Sequence, residues 1–260
     1  FDEIASGAVN GPGMALAWSY QYFLLSFATS RAMRYLLGKF ARFTSFCLKY
    51  FDHHLIDKPG ATQTYFWIGN VGVARDFEQR AELDIANTLF GGRFTSLLVD
   101  ELRTKAGLTY SARSALSRPT RPGSFAIVSF TKTDTTVVAM DLAIELLERM
   151  RAEGFSEELV TSGKNYILGQ FAPRLETASQ LAGQFASLQA AGLDASYING
   201  YGEAVAGAAG EDIQAVIGRV YPSADDLVIA IIGDAELIRN DIAKYGPVTE
   251  MAITEPRFTP

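Results

Sequence analysis

Residues 91–110 read GGRFTSLLVDELRTKAGLTY, and this stretch contains the joint between a predicted helix and a predicted strand. Two glycines lead into a run with helical character that ends at Gly107, a residue suited to a helix C-terminus because it tolerates positive φ. Residues typical of a strand follow. Arg103 and Tyr110 stand seven positions apart on either side of the joint, so two different elements would position them.

The segments around this stretch predict a two-layer α+β fold. Alternating or apolar runs rich in β-branched and aromatic residues predict strands at 61–73, 108–117, 123–133 and 226–234. Helical spacing predicts helices at 76–92, 95–105, 135–152, 156–170, 174–191, 195–208 and 211–220. This order of elements favours a mostly antiparallel sheet with helices packed on one face.

Composition limits the class of protein. The chain has 260 residues, is 48% hydrophobic and carries a net charge of −6, so it can bury a large core and lacks the basic excess of a nucleic-acid-binding protein. Cys47 is the only cysteine, which excludes an internal disulfide, and its apolar surroundings indicate a packing role. The turn at Pro59-Gly60 separates a 1–55 segment from a predicted domain at 56–260.

The 1–55 segment differs from the rest of the chain in charge. Residues 4–51 contain no Asp or Glu, and residues 14–28, MALAWSYQYFLLSFA, form the most apolar run. A bilayer span needs about 20 apolar residues, so this run is short for one. We expect a helix that is buried or covers a partner. A helix that contacts a membrane is the alternative.

Self-contained catalytic motifs are missing from the sequence. His53 and His54 are the only histidines, and adjacent side chains diverge, so they predict a solvated linker pair rather than a metal chelate. No HxxEH zinc motif and no GxSxG nucleophile elbow occurs. We therefore expect no metal ligands in this chain.

Four segments, taken together, resemble the second half of a peptidase family M16 unit, the insulinase, pitrilysin and mitochondrial processing peptidase group. They cover residues 56–235 in order, and their sequences are DKPGATQTYFWIGNVG, ANTLFGGRFTSLLVDELRTKAGLTYSARS, GSFAIVSFTKTDTT and LVIAIIGD. The resemblance implies an α+β half-unit that pairs with a partner half. The partner half carries HxxEH and the zinc, so zinc is expected in the partner and no cofactor in this chain.

The resemblance also implies site residues. Arg103 and Tyr110 match the arginine and tyrosine that the zinc-free half contributes to substrate bound at the metal. Tyr110 would donate to the developing oxyanion, and Arg103 would hold a substrate carbonyl or carboxylate. Further candidates for peptide contact are predicted near the joint and in the first strand: Gly91, Gly92, Phe94, Ser96, Gln63 and Thr64. Gln63 and Thr64 are expected at a sheet edge that pairs with extended peptide.

Several interpretations stay open at this stage. The chain is expected to be inactive alone and to form a heterodimer with an HxxEH-bearing M16 partner, as a separate subunit or as one half of a longer peptidase. A non-peptidase structural subunit, as in respiratory-complex core proteins, is the alternative. Peptides are the expected substrates, and the bacterial periplasm and cytoplasm are both compatible with the sequence.

Overall fold

One six-stranded sheet organises the computed structural model, which describes residues 53–255. The strands are β1 (His53–Asp57), β2 (Gln63–Val71), β3 (Ala112–Ser117), β4 (Ser124–Lys132), β5 (Val228–Gly233) and β6 (Val248–Ala252). Their order in the sheet is β3-β4-β2-β5-β1-β6. Neighbours from β3 to β5 are antiparallel, whereas β1 is parallel to both β5 and β6. The predicted mostly antiparallel α+β sheet is confirmed.

Nine α-helices accompany the sheet in the described part of the chain. They are α1 (Arg80–Asn87), α2 (Leu97–Val99), α3 (Thr136–Glu153), α4 (Glu157–Phe171), α5 (Ala178–Ala190), α6 (Ser196–Asn199), α7 (Tyr201–Gly207), α8 (Gly210–Val220) and α9 (Ala235–Ile242). Two of them continue in π-helical geometry, α1 through Thr88–Gly92 and α2 through Asp100–Lys105. None of the described helices is long and apolar enough to cross a membrane.

Strand alternation explains why the helices cover one face of the sheet. Phe66 and Ile68 of β2 are fully buried, whereas Tyr65 and Trp67 between them are exposed. Successive strand side chains point to opposite faces, so the buried set shares one face and packs against the helices. On the other face, the Tyr65 ring stacks on a neighbour from β4, the Phe130 ring, at 5.2 Å between centroids.

Helix α4 shows how local sequence defines an element. Ser156 precedes the helix, and its hydroxyl accepts a hydrogen bond from the backbone N–H of Leu159. Glu157 and Glu158 follow in the first turn, where carboxylates are stabilised by the positive end of the helix dipole. The predicted start at 156 is therefore confirmed.

Two expectations about strand positions are wrong. Gln63 and Thr64 do not lie at a sheet edge, because β2 is an interior strand paired with β4 on one side and β5 on the other. The histidine pair is not a linker, because His53 and His54 belong to β1. His53 accepts a hydrogen bond at Nδ1 from the Ile229 backbone at 3.2 Å, and its Nε2 lies 2.9 Å from the Tyr245 carbonyl.

The predicted N-terminal segment, residues 1–55, lies almost entirely outside the described residues. Residues 53–55, which the prediction assigns to the N-terminal segment, are part of β1. The apolar run at 14–28, Cys47 and the expected helix of that segment lie outside the described residues. Their structure and any membrane contact stay predictions.

Candidate functional site

The backbone around Arg103 departs from regular α-helix. The Ala106 backbone N–H donates to the Glu101 carbonyl at 3.0 Å, which is a five-residue step. Gly107 has a φ of +63° and ends the helix, and the next N–H, of Leu108, donates to the Leu102 carbonyl at 2.9 Å. Short π-helical segments often occur at functional sites. Here the π-helical turn carries Arg103 just before the chain leaves the helix.

An ion-pair network holds the side of this turn that faces α3. Glu101 accepts from Arg149 of α3 at 3.0 Å and from Lys105 at 3.2 Å, and Lys105 also contacts Asp100 at 2.8 Å. The hydrogen bond from Arg149 is the main cause that lowers the pKa of the Glu101 carboxyl below its usual value. The network therefore ties the helix turn that carries Arg103 to α3.

Tyr110 lies in a short loop that hydroxyl groups attach to the sheet. Thr131 of β4 donates to the Leu108 carbonyl at 2.7 Å, and Ser129 donates to the Ser111 carbonyl at 2.8 Å. Thr109 accepts from the Ser111 backbone N–H at 3.1 Å. These bonds hold the main chain on both sides of Tyr110, while its ring points outward with 73% of its surface exposed.

Arg103 and Tyr110 meet in space. The Arg103 guanidinium carbon lies 4.5 Å from the Tyr110 ring centroid and 4.9 Å from the Phe94 ring centroid. Phe94 is 70% exposed. Cation–π contact with two rings limits the rotation of the guanidinium without using its N–H donors. The three residues form an exposed group, called here the arginine–aromatic cluster, whose donors remain available to a ligand.

Gly91 and Gly92 have different surroundings. A Cβ on Gly91 would lie 2.3 Å from the backbone nitrogen of Ser114 and 2.6 Å from its hydroxyl oxygen, so Gly91 lets the helix end approach β3 closely. Gly92 is exposed, and a Cβ there would lie 3.0 Å from the Asn87 carbonyl oxygen. Close backbone packing accounts for Gly91. A peptide-contacting role for either glycine stays a prediction.

Three further predicted contact residues do not join the arginine–aromatic cluster. Ser96 is fully buried immediately before α2, and its hydroxyl has no hydrogen-bond partner among the described residues. Thr64 is fully buried as well. Gln63 is exposed in β2 at the register position facing Lys132. The free sheet edge nearest Tyr110 belongs instead to β3, which has a single neighbouring strand in the sheet formed by residues 53–255.

Metal-ligating side chains do not gather in the part of the chain that the structure describes. No group of three or more His, Cys, Asp or Glu residues is close enough there to hold a metal ion. The described residues therefore offer no ligand set for a zinc ion, whereas the arginine–aromatic cluster offers hydrogen-bond donors.

Part of the chain, including the arginine–aromatic cluster, matches a known protein family. Residues 42–167 match the family described as the Peptidase M16 inactive domain. The predicted resemblance to the M16 peptidases is confirmed. An uncharacterized zinc protease of Mycobacterium tuberculosis is 28% identical over 119 residues, which is 46% of this chain and 27% of that protein. The chain thus spans about a quarter of the length of such curated relatives.

Two solved structures illustrate which known proteins this fold is similar to. The crystal structure of a peptidase M16 inactive domain from Pseudomonas fluorescens aligns with a TM-score of 0.64 and 22% identity, covering 70% of this chain and 44% of that one. A chain of complex III2 from Candida albicans aligns with a TM-score of 0.60 and 15% identity, covering 77% of this chain and 50% of that one. At these identities the likeness establishes the fold.

The M16-matched region contains every member of the arginine–aromatic cluster, and it also contains residues that sequence reasoning missed. Arg93 and Arg149 line a cavity that lies beside Phe94. No motif distinguishes them from ordinary surface arginines in the sequence. The available signal was the position of Arg93 immediately after the glycine pair, where the chain turns between two helices.

Proposed function

We propose that the chain is the zinc-free half of an M16-type zinc metallopeptidase and supplies Arg103 and Tyr110 to a peptide bound at the partner's metal. The observation that carries the proposal is the exposed arginine–aromatic cluster, in which the two side chains lie 4.5 Å apart on separately anchored elements. The match to the M16 inactive domain supports the pairing with an HxxEH-bearing half.

The proposed chemistry divides the work between the halves. The partner half would hold the zinc, and a bound zinc would supply Lewis-acid chemistry and an activated water there. The phenol of Tyr110 donates a hydrogen bond to the oxygen on which negative charge develops. Arg103 holds a neighbouring substrate carbonyl or carboxylate through guanidinium donors that its aromatic contacts leave unused. Donors fixed in advance stabilise a transition state because they need little reorganisation.

Main-chain pairing extends the same proposal. Strand β3 begins two residues after Tyr110, and one of its edges has no neighbouring strand in the described sheet. An extended peptide paired with this edge would gain backbone hydrogen bonds with little sequence selection. The free edge of β3 therefore replaces Gln63 and Thr64 as the expected site of strand addition.

The test is peptide turnover by the chain reconstituted with an HxxEH-bearing M16 half. Tyr110→Phe removes one oxyanion donor, and we expect kcat to fall by about 10²–10³. Arg103→Ala removes a substrate-binding group, and we expect KM to rise more than kcat falls. Tyr166→Phe, at an exposed tyrosine of α4 that keeps its ring, is the matched control. Wild-type constants for both Tyr110→Phe and Arg103→Ala contradict the proposal.

A structural subunit without peptidase activity is the second candidate. The likeness to a complex III2 chain, covering 77% of this chain at a TM-score of 0.60, favours it. The two candidates differ in the reconstituted complex. A stable assembly with an HxxEH-bearing half that hydrolyses a broad peptide library supports the peptidase role, whereas stable assembly with no cleavage supports the structural role.

A further inference from the structure

A cavity of about 400 Å³ opens beside the arginine–aromatic cluster. Phe94 belongs to the cavity wall and also contacts Arg103, so the two sites adjoin. The cavity lies where the start of α2 faces the junction of α3 and α4. Its size is within the range of about 300–1,000 Å³ that is usual for small-molecule sites. Its apolar wall residues, besides Phe94, are Leu89, Leu97, Met150, Phe155 and Leu159.

Two hydrogen-bond donors in the cavity wall have no partner among residues 53–255. Ser96 is fully buried, and its Oγ makes no hydrogen bond to any described residue. Arg93 donates from Nη1 to the Ser162 hydroxyl at 3.0 Å, but its buried Nε has no acceptor among those residues. A buried donor without an acceptor costs about 1–3 kcal/mol. Both residues line the cavity, so an acceptor bound there would have two unsatisfied donors in the cavity wall.

Charge pairing within the wall leaves Arg93 uncompensated. Arg149 bonds to Glu101 at 3.0 Å, and Asp100 bonds to Lys105 at 2.8 Å. Arg93 has no ion pair within residues 53–255. Glu153 is exposed at the rim, where solvent screens its charge. The wall therefore presents one available guanidinium next to a buried hydroxyl donor, a pattern that fits an anionic oxygen acceptor.

We propose that this cavity binds a carboxylate of the peptide substrate, with Ser96 and Arg93 as donors and with an adjoining apolar side chain against the leucine, methionine and phenylalanine wall. The inference rests on the proposed peptide-binding function and deepens it. A carboxylate accepts several hydrogen bonds and pairs with a guanidinium, which suits these donors. The carboxylate belongs to the C-terminus of a peptide or to an acidic side chain, and both share this chemistry.

Binding to the full chain alone tests the proposal. The probes are acetyl-Ala-Leu with a free carboxylate, its C-terminal amide, and an amidated acetyl-Ala-Glu-Leu, each titrated by NMR. We expect one of the two carboxylate-bearing probes to bind at least about tenfold more tightly than the amide, because hydrogen bonds to charged groups are strong. The free-acid and glutamate probes distinguish a C-terminal carboxylate from a side-chain one.

Substitutions of the two donors test whether the probe binds in this cavity. Ser96→Ala and Arg93→Met are each expected to weaken the preferred carboxylate probe about tenfold. Ser96→Ala removes no hydrogen bond and should keep the melting temperature, so a loss of binding there is not a loss of fold. Arg174→Met, at an exposed arginine in the turn that follows α4, is the control and should bind as wild type.

Equal binding of amide and carboxylate probes, or wild-type affinity in both cavity variants, overturns the proposal. The test of carboxylate binding is independent of the test of peptidase activity. The titration needs neither partner nor zinc, whereas the role of Arg103 and Tyr110 is measured by turnover in the complex. Carboxylate binding with no effect of Tyr110→Phe on turnover would retain the cavity and reject the catalytic role.

Discussion

Arg103 contacts the rings of Phe94 and Tyr110, so its proposed effect on substrate binding should depend on Phe94, which donates no hydrogen bond. Phe94→Ala removes one of the two cation–π contacts. Exposed contacts of this kind contribute about 0.5–1 kcal/mol, so KM in the reconstituted complex should rise about two- to fivefold. Phe94→Tyr keeps a ring and should restore the wild-type KM. An unchanged KM in Phe94→Ala means that Phe94 does not position Arg103.

Close packing at Gly91 should make this position sensitive to any added side chain. Gly91→Ala forces a methyl group to within 2.3 Å of the Ser114 backbone nitrogen, which cannot rotate away as a side chain could. We expect about 1–3 kcal/mol of destabilisation in urea unfolding. Gly183→Ala in α5, where a Cβ meets nothing within 4 Å, should instead stabilise by about 0.4–1 kcal/mol. Equal effects of the two substitutions contradict the packing argument.

The sequence predicts some of the site residues and not others, depending on whether the signal is local in the chain. Arg103 and Tyr110 could be singled out because the joint between helix and strand, and the separation of seven, are local. Ser96 could be chosen as a nearby residue, but its complete burial depends on α3 and α4, which arrive later in the chain. The unpartnered Nε of Arg93 has no sequence signal.

Strand β4 holds the Tyr110 loop through two hydroxyls, those of Thr131 and Ser129. Thr131 donates to the Leu108 carbonyl and lies 2.6 Å from the Thr135 hydroxyl oxygen. Thr131→Val keeps the shape but leaves that carbonyl without its donor, so we expect about 1–3 kcal/mol of destabilisation. With the Tyr110 loop loosened, kcat in the complex should fall with little change in KM.

Thr131→Ser separates positioning from stability in that experiment. The serine retains the donor, so kcat should return to near the wild-type value even though a methyl group is lost. A kcat that is low in both variants, or normal in both, rejects a positioning role for this hydroxyl. The measurement is the pair of kinetic constants, read beside the thermal unfolding of each chain.

Local pattern accounts for which elements were predictable. The long helices α3 and α4 follow from periodicity and the Ser156 cap, and β2, β4 and β5 follow from apolar or alternating runs. Strand order does not follow from such patterns. Gln63 and Thr64 are expected at a sheet edge, yet β5 comes much later in sequence and pairs with the side of β2 that faces away from β4. Strands β1 and β6 were missed because both are short, at five residues each.

The assembly as a whole should contain more than this chain. The resemblance implies a partner half, and the open sheet face shows exposed aromatic side chains such as Tyr65 and Trp67. We expect a heterodimer with an HxxEH-bearing M16 half that buries well over ~1,600 Å², as lasting interfaces do. Light scattering during size exclusion of the co-expressed halves is the measurement. Two separate monomers at micromolar concentration contradict the expected assembly.

Zinc dependence should distinguish the complex from the chain. The sequence has no HxxEH motif, so the purified chain is predicted to bind no stoichiometric zinc and to cleave no peptide. In the complex, a chelator should abolish turnover because the metal that activates water is removed from the partner. The chain itself should keep its melting temperature, since metal loss destabilises only a fold that binds the metal. One tightly bound zinc per isolated chain, with activity that a chelator removes, contradicts this division of labour.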